Sequence, residues 1–280
     1  MKITFILPYA GMAGGIKVVA IYAAMLTARG HDVHVISVKN PKKIFSRFTN
    51  SRYCFWESAF WYSDQGPSHL SSIKDDRWTI LNHKGPITDD HIGDCDVIIA
   101  TWWKTAEWLN RLTQKNVKKF YFCQGFETHH IANKERVEAT YNLPLTKICV
   151  SNWVRESIHS LTGKSNQLVV PNGVDTGQFY SVPRVKSGEP KFGFLYSPSH
   201  WKGTDIVLKA LKLAKQLNPA ITAVCFGTDK SYGRTDLPSW IQSYQNPSQD
   251  FIRNIYGSCD GWLFGSRAEG FGLPILEAMA

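Results

Sequence analysis

Short apolar runs alternate along the whole chain with turns and helix-patterned stretches, and this alternation limits the fold more than any other feature. Lys2 to Leu7, Val33 to Val38, Asp96 to Ala100, Lys119 to Cys123, Lys147 to Val150 and Leu168 to Val170 read as strands. Between the first two, Val18, Tyr22, Met25 and Leu26 recur at helical spacing within Ile16 to Arg29, and Gly30 ends the pattern. Strand, turn, helix and strand in that order start a parallel sheet. Ser181 to Pro190 is polar with two prolines and reads as a linker. Beyond it the alternation restarts: Phe192 to Tyr196, Ile221 to Phe226 and Asp260 to Phe264 are strand-like, Thr204 to Leu217 and Phe251 to Ser258 helical. The expected architecture is α/β, with parallel sheets flanked by helices in two domains, 1–182 and 183–280, the second incomplete. Ligands of such units bind in a cleft at the carboxyl ends of the strands. Residues 39–93 carry no such pattern.

Composition narrows the class. At 43% hydrophobic and 20% charged residues, the balance is that of a soluble globular protein. No apolar run approaches the roughly 20 residues that cross a bilayer. The opening MKITFILPYA runs straight into Gly11 to Gly15, which favours a buried first strand over a leader, and hence a cytoplasmic protein. The six cysteines are scattered with no C-x-x-C, which suits a reducing compartment. A net charge of +9 implies an anionic partner: nucleotide, nucleic acid or acidic membrane.

Several stretches carry candidate chemistry. Gly11-Met12-Ala13-Gly14-Gly15 fails the dinucleotide fingerprint, because Ala13 stands at the second glycine place and Lys39 and Asn40 stand where an acidic residue belongs. Gly14 and Gly15 at a helix mouth still suit a phosphate or sugar. Asp94-Cys95-Asp96 has the D-x-D form that can hold a divalent metal, but it opens a strand, and the structural reading is favoured. Gln124, Glu127, His129 and His130 follow a strand at its carboxyl end, as do Trp102 and Trp103, which pack in a core or stack on a sugar. In Tyr196 to Gly203, His200 and Lys202 precede a helix and form an anion-binding group. The stretch GSRAEGFGLPILEAMA, 265 to 280, places Glu269, Gly270 and Gly272 in a strand-to-helix turn and Glu277 in the first turn of the helix. Pro274 fits the first helical position, and the two carboxylates can accept hydrogen bonds from sugar hydroxyls. No stretch looks like a Walker loop, a nucleophile elbow or a zinc site.

With GMAGGIKVV, ICVSNWV, VVPNGVDTGQFY, SPSHWKGTDIVLKAL and IYGSCDGWLFGSRAEGFGLPILEAMA in that order, the chain resembles the retaining GT-B glycosyltransferases of family 4. The resemblance implies two Rossmann-like domains, with a nucleotide-diphosphate sugar held mainly by the second. Glu269 and the backbone of Gly270, Phe271, Gly272 and Leu273 would touch the donor sugar, Glu277 the ribose hydroxyls and Lys202 the diphosphate, with Gly14 and Gly15 near the phosphate. Ser197 stands where the family usually has an arginine, and His200 is the candidate for part of that charge. QGFE, 124 to 127, occupies the region where the family often has a histidine and is similar to a subgroup that includes rhamnosyltransferases; Glu127 joins Glu269 and Lys202 as a catalytic candidate.

The implied reaction is retaining transfer by front-face attack, the departing diphosphate serving as base, with no metal and no cofactor required. The acceptor would be a glycan, a lipid or a small molecule, as in cell-envelope polysaccharide synthesis, with peripheral contact to the anionic inner face of the membrane and no nucleic-acid partner. The competing readings are a GT-B epimerase or phosphorylase, or a nucleotide-sugar-binding module or fragment without activity. Base contacts are expected from Gly227 to Asn246.

Overall fold

Because each apolar run is flanked by turns and followed by a helix, its backbone groups must pair with a strand reached by crossover, and the runs assemble side by side in parallel. The computed structural model describes residues 1–39, 41–43, 60–62, 68–130, 134–185, 188–227 and 237–280. They form two compact units, Met1–Pro171 and Asn172–Ala280.

In the first unit β1 (Lys2–Leu7) leads through α1 (Gly14–Ala28) to β2 (Asp32–Val38). A small antiparallel pair, β3 (Pro41–Lys43) and β4 (Phe60–Tyr62), follows. Then come β5 (Trp78–Leu81), β6 (Val97–Ala100), α2 (Trp103–Arg111), β7 (Lys118–Cys123), α3 (Lys134–Tyr141), β8 (Thr146–Cys149), α4 (Asn152–Thr162) and β9 (Gln167–Val169). Seven strands make one sheet in the order β5-β2-β1-β6-β7-β8-β9, and every pairing in it is parallel. Phe5, Ile6, Leu7, Val35, Ile36, Ile98 and Tyr121 are buried along its centre. The helix after β1 starts at Gly14, two residues before the periodic pattern, since glycine contributes no side chain to a hydrophobic period. Ser151 caps α4 by accepting from the Val154 N–H, and Gly163, at φ +66°, ends it in the left-handed region.

The D-x-D pair has a structural job. Asp94 pairs with Lys2 Nζ at 2.6 Å, and Asp96 accepts from the Lys2 backbone N–H at 2.7 Å, so both hold the start of β1 at the amino-terminal edge of the sheet. Among the described residues no group of three or more His, Cys, Asp or Glu is placed to hold a metal. Five cysteines are free thiols, and Cys54 lies outside the described residues. Among the described residues no helix is long and apolar enough to cross a membrane.

The second unit runs β10 (Lys191–Leu195), α5 (Thr204–Leu217), β11 (Thr222–Gly227), β12 (Ile241–Gln245), α6 (Gln249–Gly257), β13 (Gly261–Leu263) and α7 (Leu273–Met279). Its sheet order is β12-β11-β10-β13, again all parallel. Phe194, Val207, Leu211, Ala223, Cys225 and Ile241 form one buried cluster; Val224, Phe226, Ile252, Ile255 and Tyr256 form another, together with Phe179. Phe179 is 2% exposed and has its ring 6.0 Å from that of Tyr256. The segment 172–182, which the linker pattern leaves with the first domain, therefore joins the second unit, anchored in its core by Phe179 with Val174 packed alongside. An Arg184–Asp260 ion pair at 2.7 Å ties the chain beyond it to the foot of β13.

Both sheets share one topology. The first strand of the unit is central, the second and third lie successively to one side, and the fourth starts the other side. The direction of travel reverses between β1 and β6 and between β10 and β13, and such switch points open a crevice at the carboxyl ends of the strands. Phe179→Ala should empty a packed position and destabilise the second unit by about 3–5 kcal/mol, read as a lower urea midpoint at an unchanged m-value.

Candidate functional site

At the switch point of the second unit, the turn after β10 and the turn after β13 meet backbone to backbone. Gly203 has φ +61°, and a Cβ there would run into the Gly265 carbonyl. A Cβ on Gly265 would lie 2.6 Å from the Gly203 oxygen and 2.7 Å from Val207 Cγ2. Only glycine at both places permits this approach. Arg267 fastens the contact: its N–H donates to the Trp201 carbonyl at 2.7 Å. Its guanidinium donates to the His200 carbonyl at 2.6 Å and to both Asp205 oxygens at 2.9 and 2.8 Å. That bidentate contact holds the Asp205 carboxyl down at about 2.

The two turns bring Lys202 and Glu269 together. Lys202 Nζ lies 2.5 Å from Glu269 Oε1, and Ser266 Oγ donates to the same oxygen at 2.9 Å. Side-chain exposures of 29% and 22% leave this ion pair open to exchange with a ligand. Ser197 is drawn inward: its N–H and C=O both bond the Thr204 hydroxyl, at 3.0 and 2.7 Å, and its own hydroxyl accepts from the Ser199 N–H at 3.3 Å. It thus shapes the turn that carries Lys202. His200 is exposed at the rim.

The turn after β13 ends on Gly272, at φ +84°, as the N-cap of α7. Gly270 and Phe271 lie half-buried in it, and Leu273 opens the helix. Pro274 is therefore the second helical residue and not the first, and Glu277 lies beyond the first turn and not within it as the sequence pattern predicts. Glu277 accepts from the Tyr256 hydroxyl at 2.9 Å. Burial pushes that phenol far up, so it stays a neutral donor that fixes one carboxylate oxygen. Of the stretch from Gly227 to Asn246, from which base contacts are expected, residues 228–236 lie outside the described residues.

At the carboxyl edge of the first sheet, Gly14 and Gly15 open α1, and a Cβ on Gly15 would come within 3.2 Å of Gln124 Oε1. Gln124 thus lies against the glycine turn, a contact between the segments that follow β1 and β7 and one that sequence spacing cannot reveal. Trp103 is 2% exposed and belongs to the core, which removes it as a stacking platform, whereas Trp102 is half-buried. The side chains of His129 and His130 lie outside the described residues.

Glu127 is enclosed more than a loop residue should be. Its Oε2 accepts from the Trp103 N–H, at the start of α2, and from the Tyr121 hydroxyl, both at 3.1 Å. Its own N–H donates to the Tyr141 hydroxyl at 3.0 Å. Burial pushes the carboxyl up to about 8, against the two hydrogen bonds that favour its ionised form. The α2 N-terminus pulls the same way as those bonds, by at most ~2 kcal/mol, so burial remains the larger effect.

Residues 181–280 match the family described as Glycosyl transferases group 1. A protein of Sulfolobus islandicus rod-shaped virus 1, described as an uncharacterized glycosyltransferase 335, is 23% identical over 192 residues, which cover 62% of this chain and 56% of that protein. The chain therefore spans little more than half of that curated relative. Sucrose-phosphate synthase from Thermosynechococcus elongatus superposes with a TM-score of 0.65 at 16% identity, over 99% of this chain and 78% of the other. A glycosyltransferase from Rickettsia africae ESF-5 gives 0.65 at 17% identity, over 99% and 76%. At such identities the likeness is one of fold: the α/β architecture with parallel sheets flanked by helices is that of the GT-B glycosyltransferases.

The raised Glu127 carboxyl makes stability depend on pH. Between the ordinary glutamate value and about 8, the unfolded chain releases a proton that the native chain keeps, so stability falls as pH rises and the full cost is reached above 8. Glu127→Gln abolishes that slope. The stability of the variant relative to wild type should rise by on the order of 3–4 kcal/mol between pH 5 and pH 8, measured by denaturant unfolding at each pH.

Proposed function

We propose that the protein is a retaining, family 4 type glycosyltransferase that moves a sugar from a nucleotide-diphosphate sugar to a hydroxyl of a glycan, lipid-linked or small-molecule acceptor. One observation carries the reading: strand order in the second unit places a lysine and a glutamate in contact at the carboxyl ends of β10 and β13. A matched pair of this kind has one member for each end of a sugar diphosphate.

On donor binding Lys202 exchanges Glu269 for the diphosphate, and Glu269 turns to the sugar hydroxyls together with the backbone from Gly270 to Leu273. Glu277, which accepts from Tyr256, binds the ribose hydroxyls. His200 at the rim adds charge where Ser197 has none. The bond from the anomeric carbon to the diphosphate oxygen breaks with its electron pair on the diphosphate, and the acceptor oxygen bonds to the same face of that carbon. The acceptor proton passes to the departing phosphate oxygen. The protein's share is positioning and stabilisation of the negative charge that develops on the leaving group. Lys202 provides that stabilisation in place of a divalent metal.

Handling of the acceptor falls to the first unit, with Glu127 as its group. The Gln124 to Glu127 pattern supports the rhamnosyltransferase-like subgroup, and the net charge of +9 suits an acceptor presented at the anionic cytoplasmic face of a membrane during cell-envelope synthesis.

Transfer and hydrolysis assays with UDP-, GDP-, ADP- and dTDP-sugars test the reading. One donor should be consumed with retention at the anomeric carbon, and Lys202→Ala and Glu277→Ala should each cost at least roughly a hundredfold. Turnover by both variants near the wild-type rate contradicts the assignment. Chelation with EDTA should leave the rate unchanged, and loss of activity that Mg²⁺ or Mn²⁺ restores would overturn the metal-independent mechanism.

A further inference from the structure

Among the described residues, the groups around Glu127 are neutral. Around it are Trp103 at the head of α2, Tyr121 and Cys123 on β7, Tyr141 on α3 and Tyr9 beyond β1, and the negative charge on Glu127 would itself push the Tyr9, Tyr121 and Tyr141 phenols up. The cations of the packed helices are engaged elsewhere. Lys104 Nζ lies over the Trp102 and Trp103 rings, 5.7 and 5.1 Å from their centroids. Arg136 stacks on Trp103 at 5.1 Å and grips both oxygens of Glu107 at 2.8 and 2.7 Å. Among the described residues none forms an ion pair with Glu127. A carboxyl enclosed without a cation keeps its proton rather than its charge.

The hydrogen bonds say where that proton sits. Trp103 N–H and Tyr121 O–H both point at Oε2, which is therefore an acceptor. The Tyr141 hydroxyl accepts from the Glu127 N–H and donates to the Gly125 carbonyl at 3.4 Å, so it offers nothing to the carboxyl. Among the described residues no donor reaches Oε1, which is left to carry the hydrogen. The residue remains partly exposed beyond β7, at the carboxyl edge where the glycine turn and Gln124 also lie.

We propose that Glu127 is held as a neutral carboxylic acid and that its Oε1–H donates a hydrogen bond to an oxygen of the acceptor substrate. The proposal rests on the transferase reading above and deepens it. A neutral acid is neither nucleophile nor base, which agrees with a reaction whose acceptor proton leaves on the diphosphate. Ionisation would remove the donor and set a negative charge where two hydrogen bonds do not offset its loss of water, so activity falls at alkaline pH.

The intact chain, labelled with ¹³C at glutamate Cδ, decides the protonation state, with the Glu127 resonance assigned by its loss in Glu127→Gln. A titration midpoint near 8 is expected; a midpoint near 4, the ordinary glutamate range, overturns the proposal. The role is read from pH–rate profiles for hydrolysis of UDP-glucose, GDP-mannose, ADP-glucose and dTDP-glucose, with water standing in for the acceptor. Glu127→Ala should lose about tenfold at neutral pH. Glu127→Gln, which presents an N–H in place of the O–H, should recover most of that loss and abolish the fall above pH 8. A Gln variant as inactive as the Ala variant, with nucleotide binding intact, would identify a carboxylate base and sink the donor role. If wild type turns over none of the four sugars, the transferase reading fails, and with it the acceptor role, while the NMR titration still decides whether the acid is neutral.

Discussion

Everything assigned to the second unit depends on the backbone of Gly203 lying against that of Gly265. Gly203 ends the turn after β10 and Gly265 begins the turn after β13, strands that are neighbours only because the sheet reverses direction between them. A side chain at either position would force the turns apart. With them would go the Arg267 bonds to Trp201, His200 and Asp205, and then the meeting of Lys202 with Glu269. A contact between two atoms of backbone thus sets the distance between two charges that lie 67 residues apart in sequence.

The two candidate sites are electrostatic opposites. In the second unit a lysine and a glutamate sit paired and partly open to water, each able to leave its partner for a ligand of opposite character. Such an exposed pair contributes little to stability, which makes exchange inexpensive. In the first unit a single carboxyl is closed in by phenols and a tryptophan, with burial holding its charge in check. The former suits a donor that brings its own negative charge; the latter suits a neutral acceptor recognised through hydroxyls.

Much of the fold was legible because parallel α/β units write each strand as a short apolar run. β1, β6, β7 and β10 fall within a residue or so of those runs, and α5 has the bounds its period predicts. β5 and β12 were missed, since WTIL and IQSYQ carry no continuous apolar signal and gain strand conformation only from their neighbours β2 and β11. The terminal stretch showed that Glu269 belongs to a strand-to-helix turn, but not that Lys202 would meet it, because that contact follows from strand order. Likewise nothing in QGFE announces a buried acid: Tyr121 is close in sequence, yet Trp103 and Tyr141 reach Glu127 from separate helices. The reach of Phe179 into the second core was hidden by the polar, proline-containing stretch that follows it.

The central claim is that the Lys202–Glu269 pair is a donor site rather than a surface ornament, and a charge swap tests it most directly. The double variant Lys202→Glu, Glu269→Lys keeps an opposite-charge pair at the same place and should unfold at nearly the wild-type urea midpoint. It now presents the wrong sign to a diphosphate, so the thermal stabilisation that UDP, GDP, ADP or dTDP gives wild type should vanish. Retention of that stabilisation in a folded double variant would contradict the account.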